Sequence, residues 1–216
     1  MAGSAALLPA DDLRVLWRGR ERYEATLAFQ RDLQAEVAAG QRDCLVLVEH
    51  EPVITLGRRA DPRHVLHADA PVVRVSRGGD VTCHGPGQLV GYPILDLSRR
   101  GRDVHRYLRD LESMLMGVGM RYGVRTERRV GMTGVWCGED KLAAIGVGLR
   151  RWVTLHGFAL NVADMRRAFA AIVPCGLQGT GVTSLEQATG GCPALSEVAR
   201  VVEEEFRATF GYAVDV

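Results

Sequence analysis

The sequence predicts an α+β fold, in which a mixed and largely antiparallel sheet packs with helices. Three observations predict it. Short runs of β-branched and apolar residues are punctuated by Pro, Gly and Asp. Separate stretches carry an apolar stripe at helical spacing. The two kinds of segment do not alternate as regular βαβ units. With 216 residues, 47% of them apolar, the chain is expected to form one domain over residues 1–216, with 1–10 a flexible N-terminus.

In chain order, residues 13–17 read as a short strand. Ala25, Phe29, Leu33 and Val37 then recur every four residues until Gly40 stops the pattern, as a helix would. Residues 44–48, 53–56, 72–75 and 88–95 have the composition and boundaries of sheet strands. Asp103 is placed to cap a second helix, whose Val104, Tyr107, Leu108, Leu111, Leu115 and Val118 fit the helical period and which ends before Gly123. Residues 134–137, 142–149 and 153–162 are extended segments joined by short polar turns, which suggests an antiparallel meander. The last helix starts near Pro193, carries Leu195, Val198, Ala199, Val202 and Phe206 on one face, and stops at Gly211.

Composition narrows the function. Twenty-seven basic residues against 26 acidic ones leave a net charge of +1, so no overall field draws nucleic acid or an anionic membrane. No apolar run approaches the roughly 20 residues that span a bilayer, and a cytoplasmic location is expected. Cys44, Cys83, Cys137, Cys175 and Cys192 are odd in number, widely spaced and free of C-x-x-C pairs, which argues against a disulfide framework and against a zinc cage. Neither a metal nor a cofactor is expected.

Cys175 is the candidate nucleophile. Pro174 fixes the chain's approach, and the glycines from Gly176 onward leave room for a substrate and for backbone N–H groups facing an oxyanion. A buried, inert thiol is the alternative for any single cysteine. A thiol can carry an acyl group as a thioester and pass it on without ATP. Lys141 is the candidate partner. By period two it would share a strand face with Ala143, Ile145, Val147 and Leu149, an unusual place for a lysine; the alternative is a solvated side chain in the polar turn formed by residues 138–141.

Residues 77–88 form a second glycine-rich stretch. It leads into a strand rather than a helix and lacks the Gly-Lys-Ser/Thr of a phosphate loop, and adjacent Cys83 and His84 would point to opposite faces, which disfavours zinc. Arg77 or His84 can hold a polar substrate group or serve as a structural hydrogen-bonder. His156 is read as a core histidine sharing a face with Thr154, Phe158 and Leu160, and Asn161 as a strand-end residue. Gly146 and Gly157 either leave a slot for an acyl tail or let two backbones pack without a gap.

These motifs resemble the bacterial octanoyltransferases of lipoate biosynthesis. The resemblance rests on residues 48–57, on 77–88, on 138–141 together with 155–162, and on Pro174-Cys175-Gly176 followed by residues 183–185. It implies the fold of the lipoate and biotin protein ligase catalytic domain. It also implies an acyl thioester on Cys175, with Lys141 tuning the thiol and moving protons. An acyl pocket is implied along Arg77, Gly78, Gly79, Asp80, Val81, Thr82, Cys83 and His84, along Ala144, Ile145 and Gly146, and along Gly157, Phe158 and Ala159. Cys83 stands where that family usually has tyrosine, which removes a phenol and adds a thiol.

The implied reaction moves an octanoyl group from octanoyl-acyl carrier protein to a lysine of lipoyl domains, those of 2-oxoacid dehydrogenase E2 subunits and of the glycine cleavage H protein. The enzyme is expected to be a monomer. The competing readings are an ATP-dependent lipoate or biotin ligase, a non-catalytic lipoyl-binding protein, and a redox sensor that pairs Cys83 with Cys175.

Overall fold

The computed structural model describes residues 13–173 and 181–213, so the N-terminal stretch 1–10 and Pro174, Cys175 and Gly176 lie outside the described residues. Among the described residues, ten strands form two sheets. They are β1 (Arg14–Glu21), β2 (Cys44–His50), β3 (Val53–Leu56), β4 (Val72–Arg74), β5 (Val81–His84), β6 (Gln88–Ile94), β7 (Glu127–Arg129), β8 (Met132–Cys137), β9 (Asp140–Arg150) and β10 (Val153–Asn161). The larger sheet has the order β1-β2-β6-β10-β9-β8-β7, and every pair in it except β1 with β2 is antiparallel. A smaller sheet has the order β4-β3-β5. The meander expected over 134–162 is β8, β9 and β10.

The helices α1 (Tyr23–Ala38), α2 (Val104–Arg121) and α5 (Leu195–Phe210) cover the larger sheet, while α3 (Arg166–Phe169) and α4 (Leu185–Thr189) are short connectors. The Asp103 carboxylate accepts from the Arg106 N–H at 2.9 Å, the cap expected for α2. α5 stops at Gly211, whose φ of 72° is the left-handed geometry that ends helices.

Along β2, consecutive residues alternate between two cores. Leu45 and Leu47 join Leu111, Leu115, Val118, Val202 and Phe206 beneath α2 and α5. Val46 and Val48 join Leu27, Leu33 and Val37 beneath α1. This is the period-two signature of a central strand buried on both faces.

Two sequence expectations need correcting here. The buried face of α1 is Tyr23, Thr26, Leu27, Gln30, Leu33, Gln34 and Val37, and Ala25 is exposed. A four-residue repeat drifts off a 3.6-residue helix, and two of the truly buried positions are glutamines that no apolar pattern marks. Their role lies in β10. The Gln34 Nε2 donates to the carbonyls of Val153 and Thr154, and Gln30 Oε1 accepts from the His156 N–H at 3.0 Å.

The second correction concerns His156. Phe158 and Leu160 lie in the α2/α5 core, whereas His156 meets Ser76 and Gln30. Its φ of 61°, rare for a residue with a Cβ, breaks the alternation on which the sequence reading depended.

Candidate active site

A cavity of about 610 Å³ opens where the β9–β10 hairpin, the start of α1 and the loop running into β5 converge. β9 supplies Lys141, Ala144, Ile145 and Gly146, and β10 supplies His156, Gly157, Phe158 and Ala159. The loop and β5 add Arg77, Gly78, Gly79, Asp80, Val81, Thr82 and His84, while Tyr23, Tyr92 and Met132 close other sides.

Lys141 is 8% exposed, so its charge sits in a mostly dry wall. Its Nζ lies 4.7 Å from the centroid of the fully buried Trp136 ring, a cation–π contact in a desolvated setting. A bulge puts it there. Val135 pairs with Ala143 and Trp136 with Lys141, so Leu142 is the extra residue, and Leu142 and Ala143 both enter the α2/α5 core. The period-two expectation that Lys141 shares a face with Ala143, Ile145, Val147 and Leu149 therefore holds only in part: the bulge sends Lys141 into the cavity that Ile145 and Val147 also line, while Ala143 lies in the core and Leu149 packs against it.

Gly134 makes the bulge feasible. With φ at 134°, a Cβ there would stand 2.7 Å from the Ala143 carbonyl and 3.4 Å from Lys141 Cε. Its N–H donates at 3.1 Å to the buried Glu112 carboxylate of α2, which also binds Arg109 and Arg128 at 2.6 and 3.0 Å.

The backbone of Lys141 takes up the chain where it returns from residues 174–180. The Lys141 N–H donates to the Gly181 carbonyl at 3.0 Å, and the Thr183 N–H donates to the Lys141 carbonyl at 3.1 Å. On the entry side, the Val173 N–H donates to the His64 carbonyl at 2.7 Å, and His64 Nδ1 meets the Asp80 carboxylate at 2.6 Å. Both ends of the segment that carries Cys175 are thus tied to residues at or beside the cavity.

A chain of side-chain amides runs from this returning strand to His84, and it fixes the ring's tautomer. The Thr183 carbonyl only accepts, so the Asn161 amide nitrogen donates to it at 2.9 Å and the Asn161 oxygen must accept from Gln88 Nε2, also at 2.9 Å. The Gln88 oxygen is then left to accept from His84 Nδ1 at 2.7 Å. The proton therefore sits on Nδ1, and Nε2 keeps its lone pair. His50 is fixed in the same way: its Nδ1 donates to the Glu21 carbonyl at 3.2 Å and its Nε2 accepts from the Tyr92 hydroxyl at 2.7 Å.

Burial holds these rings neutral. Desolvation lowers His50 to about 4, His84 to about 3 and His156 to about 4. His156 Nε2 is 3.0 Å from Ser76 Oγ, and its buried Nδ1 has no hydrogen-bond partner among the described residues.

The structure gathers nearly all of the residues singled out from sequence. Arg77 lies in the cavity wall with its guanidinium donating to the Thr55 carbonyl at 2.7 Å and to Thr55 Oγ1 at 2.9 Å. Gly146 and Gly157 face each other across β9 and β10. Both features weighed for Gly157 are present: it lines the cavity, and it packs so closely that a Cβ there would stand 2.1 Å from the Gly91 carbonyl. Asn161 does end β10, and it also ties Gln88 to the returning strand.

Cys83 is the exception. It does not line the cavity but sits 3% exposed in the core of the smaller sheet with Ile54, Val81 and Met165. Side-chain alternation along β5 turns it away from its neighbours Thr82 and His84. Burial pushes its thiol up to about 12, which leaves it without the thiolate a redox sensor needs. Cys175 lies outside the described residues.

Tyr23, Tyr92, Arg59 and residues 131–133 of the cavity wall went unmarked in sequence. One signal was there to be read: Lys141 is the only lysine in the chain, all other Lys and Arg positions being arginine. Arginine does not deprotonate near neutral pH, so of the lysine and arginine side chains only this one can give up and take back a proton.

The catalytic-domain model of lipoyl protein ligases A and B matches residues 22–207. The chain belongs to this family. It is 51% identical to an octanoyltransferase of Geobacter metallireducens over 189 residues, covering 87% of this chain and 89% of the relative. An octanoyltransferase of Gloeobacter violaceus is also 51% identical, over 195 residues, covering 88% and 86% of the two chains.

Among solved structures, lipoate-protein ligase A bound with ATP superposes with a TM-score of 0.74 at 15% identity, covering 94% of this chain and 87% of its own. The biotin protein ligase of Aquifex aeolicus gives 0.55 at 13% identity, covering 92% and 69%. At these identities the two ligases establish the shared fold, as expected from the sequence motifs. Among the described residues, no helix is long and apolar enough to cross a membrane.

Proposed function

We propose that this protein transfers an octanoyl group from octanoyl-acyl carrier protein to the ε-amino group of a lysine on lipoyl domains, through a thioester on Cys175 with Lys141 as the proton carrier. The observation that carries the reading is the pairing of the Lys141 backbone with Gly181 and Thr183, directly after the Cys175 segment and in the wall of the cavity.

In the first half-reaction the Cys175 thiolate attacks the donor thioester. A new S–C bond forms, the carrier's S–C bond breaks, and the carrier thiolate leaves with a proton given up by Lys141, which leaves the Lys141 amine neutral for the second half. This exchange of one thioester for another needs no ATP. In the second half, the acceptor amine attacks the octanoyl-enzyme, a C–N bond forms and the Cys175 thiol is released. Only about 0.04% of a free lysine is neutral at pH 7, so the acceptor needs a base beside it. Lys141 takes that proton. Its place over Trp136, against the side-chain-free Gly134, holds the amine at one position in the wall.

The test is to incubate the protein with octanoyl-acyl carrier protein in the absence of ATP and weigh it intact after a denaturing quench. A hydroxylamine-labile octanoyl adduct on the wild type and none on Cys175→Ser is the expected result. No adduct on either protein, with lipoyl-domain modification appearing only when ATP is added, would replace this reading with that of a ligase.

A further inference from the structure

Outside the proposed chemistry, an exposed arginine, Arg59, lines the cavity, and the equally exposed Arg58 precedes it. Arg58 and Arg59 follow β3 directly, and their backbone N–H groups donate to the carbonyls of Arg77 and Gly79 at 3.0 and 3.2 Å. Gly57 permits this approach, because a Cβ there would stand 2.4 Å from the Gly79 carbonyl. The two side chains are therefore anchored by their backbone at the loop that lines the cavity, and Arg59 is itself part of the lining.

Both side chains are exposed, and neither has a hydrogen bond or ion pair among the described residues. Two carboxylates beside this segment in space are already engaged. Asp61 forms a paired contact with Arg63 at 2.6 Å, and Asp80 holds His64 at 2.6 Å while accepting from the Asp61 N–H at 3.1 Å. The charge of Arg58 is also felt inside the cavity, where, after burial, it joins Arg77 and Arg31 in lowering His156. Two exposed guanidinium forks without a carboxylate partner among the described residues, one of them in the cavity lining, suit a phosphate better than a neutral group.

We propose that Arg58 and Arg59 bind the phosphodiester of the donor's phosphopantetheine arm and so hold the thioester end inside the cavity. This rests on the thioester-donor reading above and adds to it the element of the donor that is recognised. A phosphopantetheine arm places its phosphate and its thioester at opposite ends, which matches a cavity with arginines at its rim and Lys141 in its wall. Free phosphopantetheine thioesters carry the same group, so they share the site, while a pantetheine thioester lacking the phosphate does not engage it.

The experiment measures single-turnover acylation of wild type and of the double variant Arg58→Gln/Arg59→Gln, with three donors: octanoyl-acyl carrier protein, octanoyl-phosphopantetheine and octanoyl-pantetheine. The wild type should favour octanoyl-phosphopantetheine over octanoyl-pantetheine by about tenfold or more in kcat/KM, as charge-assisted phosphate contacts warrant, and the variant should lose most of that preference. Rising salt should erode the wild-type preference as well.

An unchanged preference in the variant overturns the proposal. So does a variant defect confined to the carrier-protein donor, which would assign the arginines to the carrier's protein surface instead. If the wild type gains no octanoyl adduct from any of the three donors, the thioester reading itself fails and the phosphate site goes with it.

Discussion

The core beneath α2 and α5 and the walls of the cavity are built from the same strands by opposite rules. In the core, Leu111, Leu115, Val118, Val202 and Phe206 meet Leu45, Leu47 and Leu160 with no exposure above 2%, and each side chain obeys the period of its element. In the cavity wall the periods break. Lys141 sits at a bulge and His156 has positive φ, and beside the wall, next to Tyr92, Pro93 in β6 lacks the N–H that a continuous ladder needs. The Thr154 hydroxyl bridges that gap by donating to the Pro93 carbonyl at 2.6 Å and accepting from the Leu95 N–H at 2.8 Å. Regular pairing makes stability, and the interruptions aim polar groups at one space.

Substitutions can sharpen or break that contrast. The largest expected effect is on the cavity side. Lys141→Met should slow both acylation of Cys175 and transfer to the acceptor by about 10²–10⁴-fold, the usual range for a lost acid–base group, and Lys141→Arg should not restore the rate. Thermal melting of both variants near the wild-type value would separate chemistry from folding. Wild-type rates for either half-reaction would remove Lys141 from the mechanism.

The core side should respond in the opposite sense. Leu115→Ala should cost about 2–5 kcal/mol in urea unfolding by leaving a cavity under α2, while the acylation rate per folded molecule stays unchanged. A matching fall in that rate would mean the two regions are not separable.

Acid should act through the buried histidines near the cavity. Their folded values of about 4 for His50, 3 for His84 and 4 for His156 lie below the roughly 6.5 of an unfolded chain. The unfolded chain therefore binds more protons below pH 6.5. Stability is flat above about pH 7.5 and falls as the pH drops through 6.5 toward 4, by up to about 2 kcal/mol per histidine at pH 5. Equal urea midpoints at pH 7.5 and pH 5 would show that these rings are not held neutral.

The smallest effect is expected at the join between the two regions. Thr154→Val removes the hydroxyl that bridges Pro93 and Leu95 and should cost about 1–3 kcal/mol. Amide exchange should quicken at Leu95, whose N–H loses its acceptor. Protection there equal to the wild type would mean that the ladder does not depend on the hydroxyl.

How legible each region was in the sequence follows from the same contrast. α2, α5 and the β8–β10 meander could be placed because apolar periodicity is a local property, set by how many residues make a turn of helix or a pleat of strand. The stripe assigned to α1 was misplaced because Gln30 and Gln34 are buried for their hydrogen bonds to β10, a need that arises only once β10 is distorted. The cavity residues were legible as motifs, in residues 77–84, 144–146 and 157–159, but their geometry was not. Cys83 belongs to the same motif as Thr82 and His84 and still faces another core.

The sequence by itself determined the α+β class, the order of the main elements, the absence of a strong overall charge and the single lysine on which proton transfer is proposed to depend. The tertiary structure alone decided which way that lysine points, which tautomer His84 holds and which arginines near the cavity find no carboxylate among the described residues. The division has a physical cause. Composition and period belong to the chain, whereas a bulge, a relay of amides from Thr183 to His84 and an unneutralised charge exist only when segments distant in sequence are brought into contact.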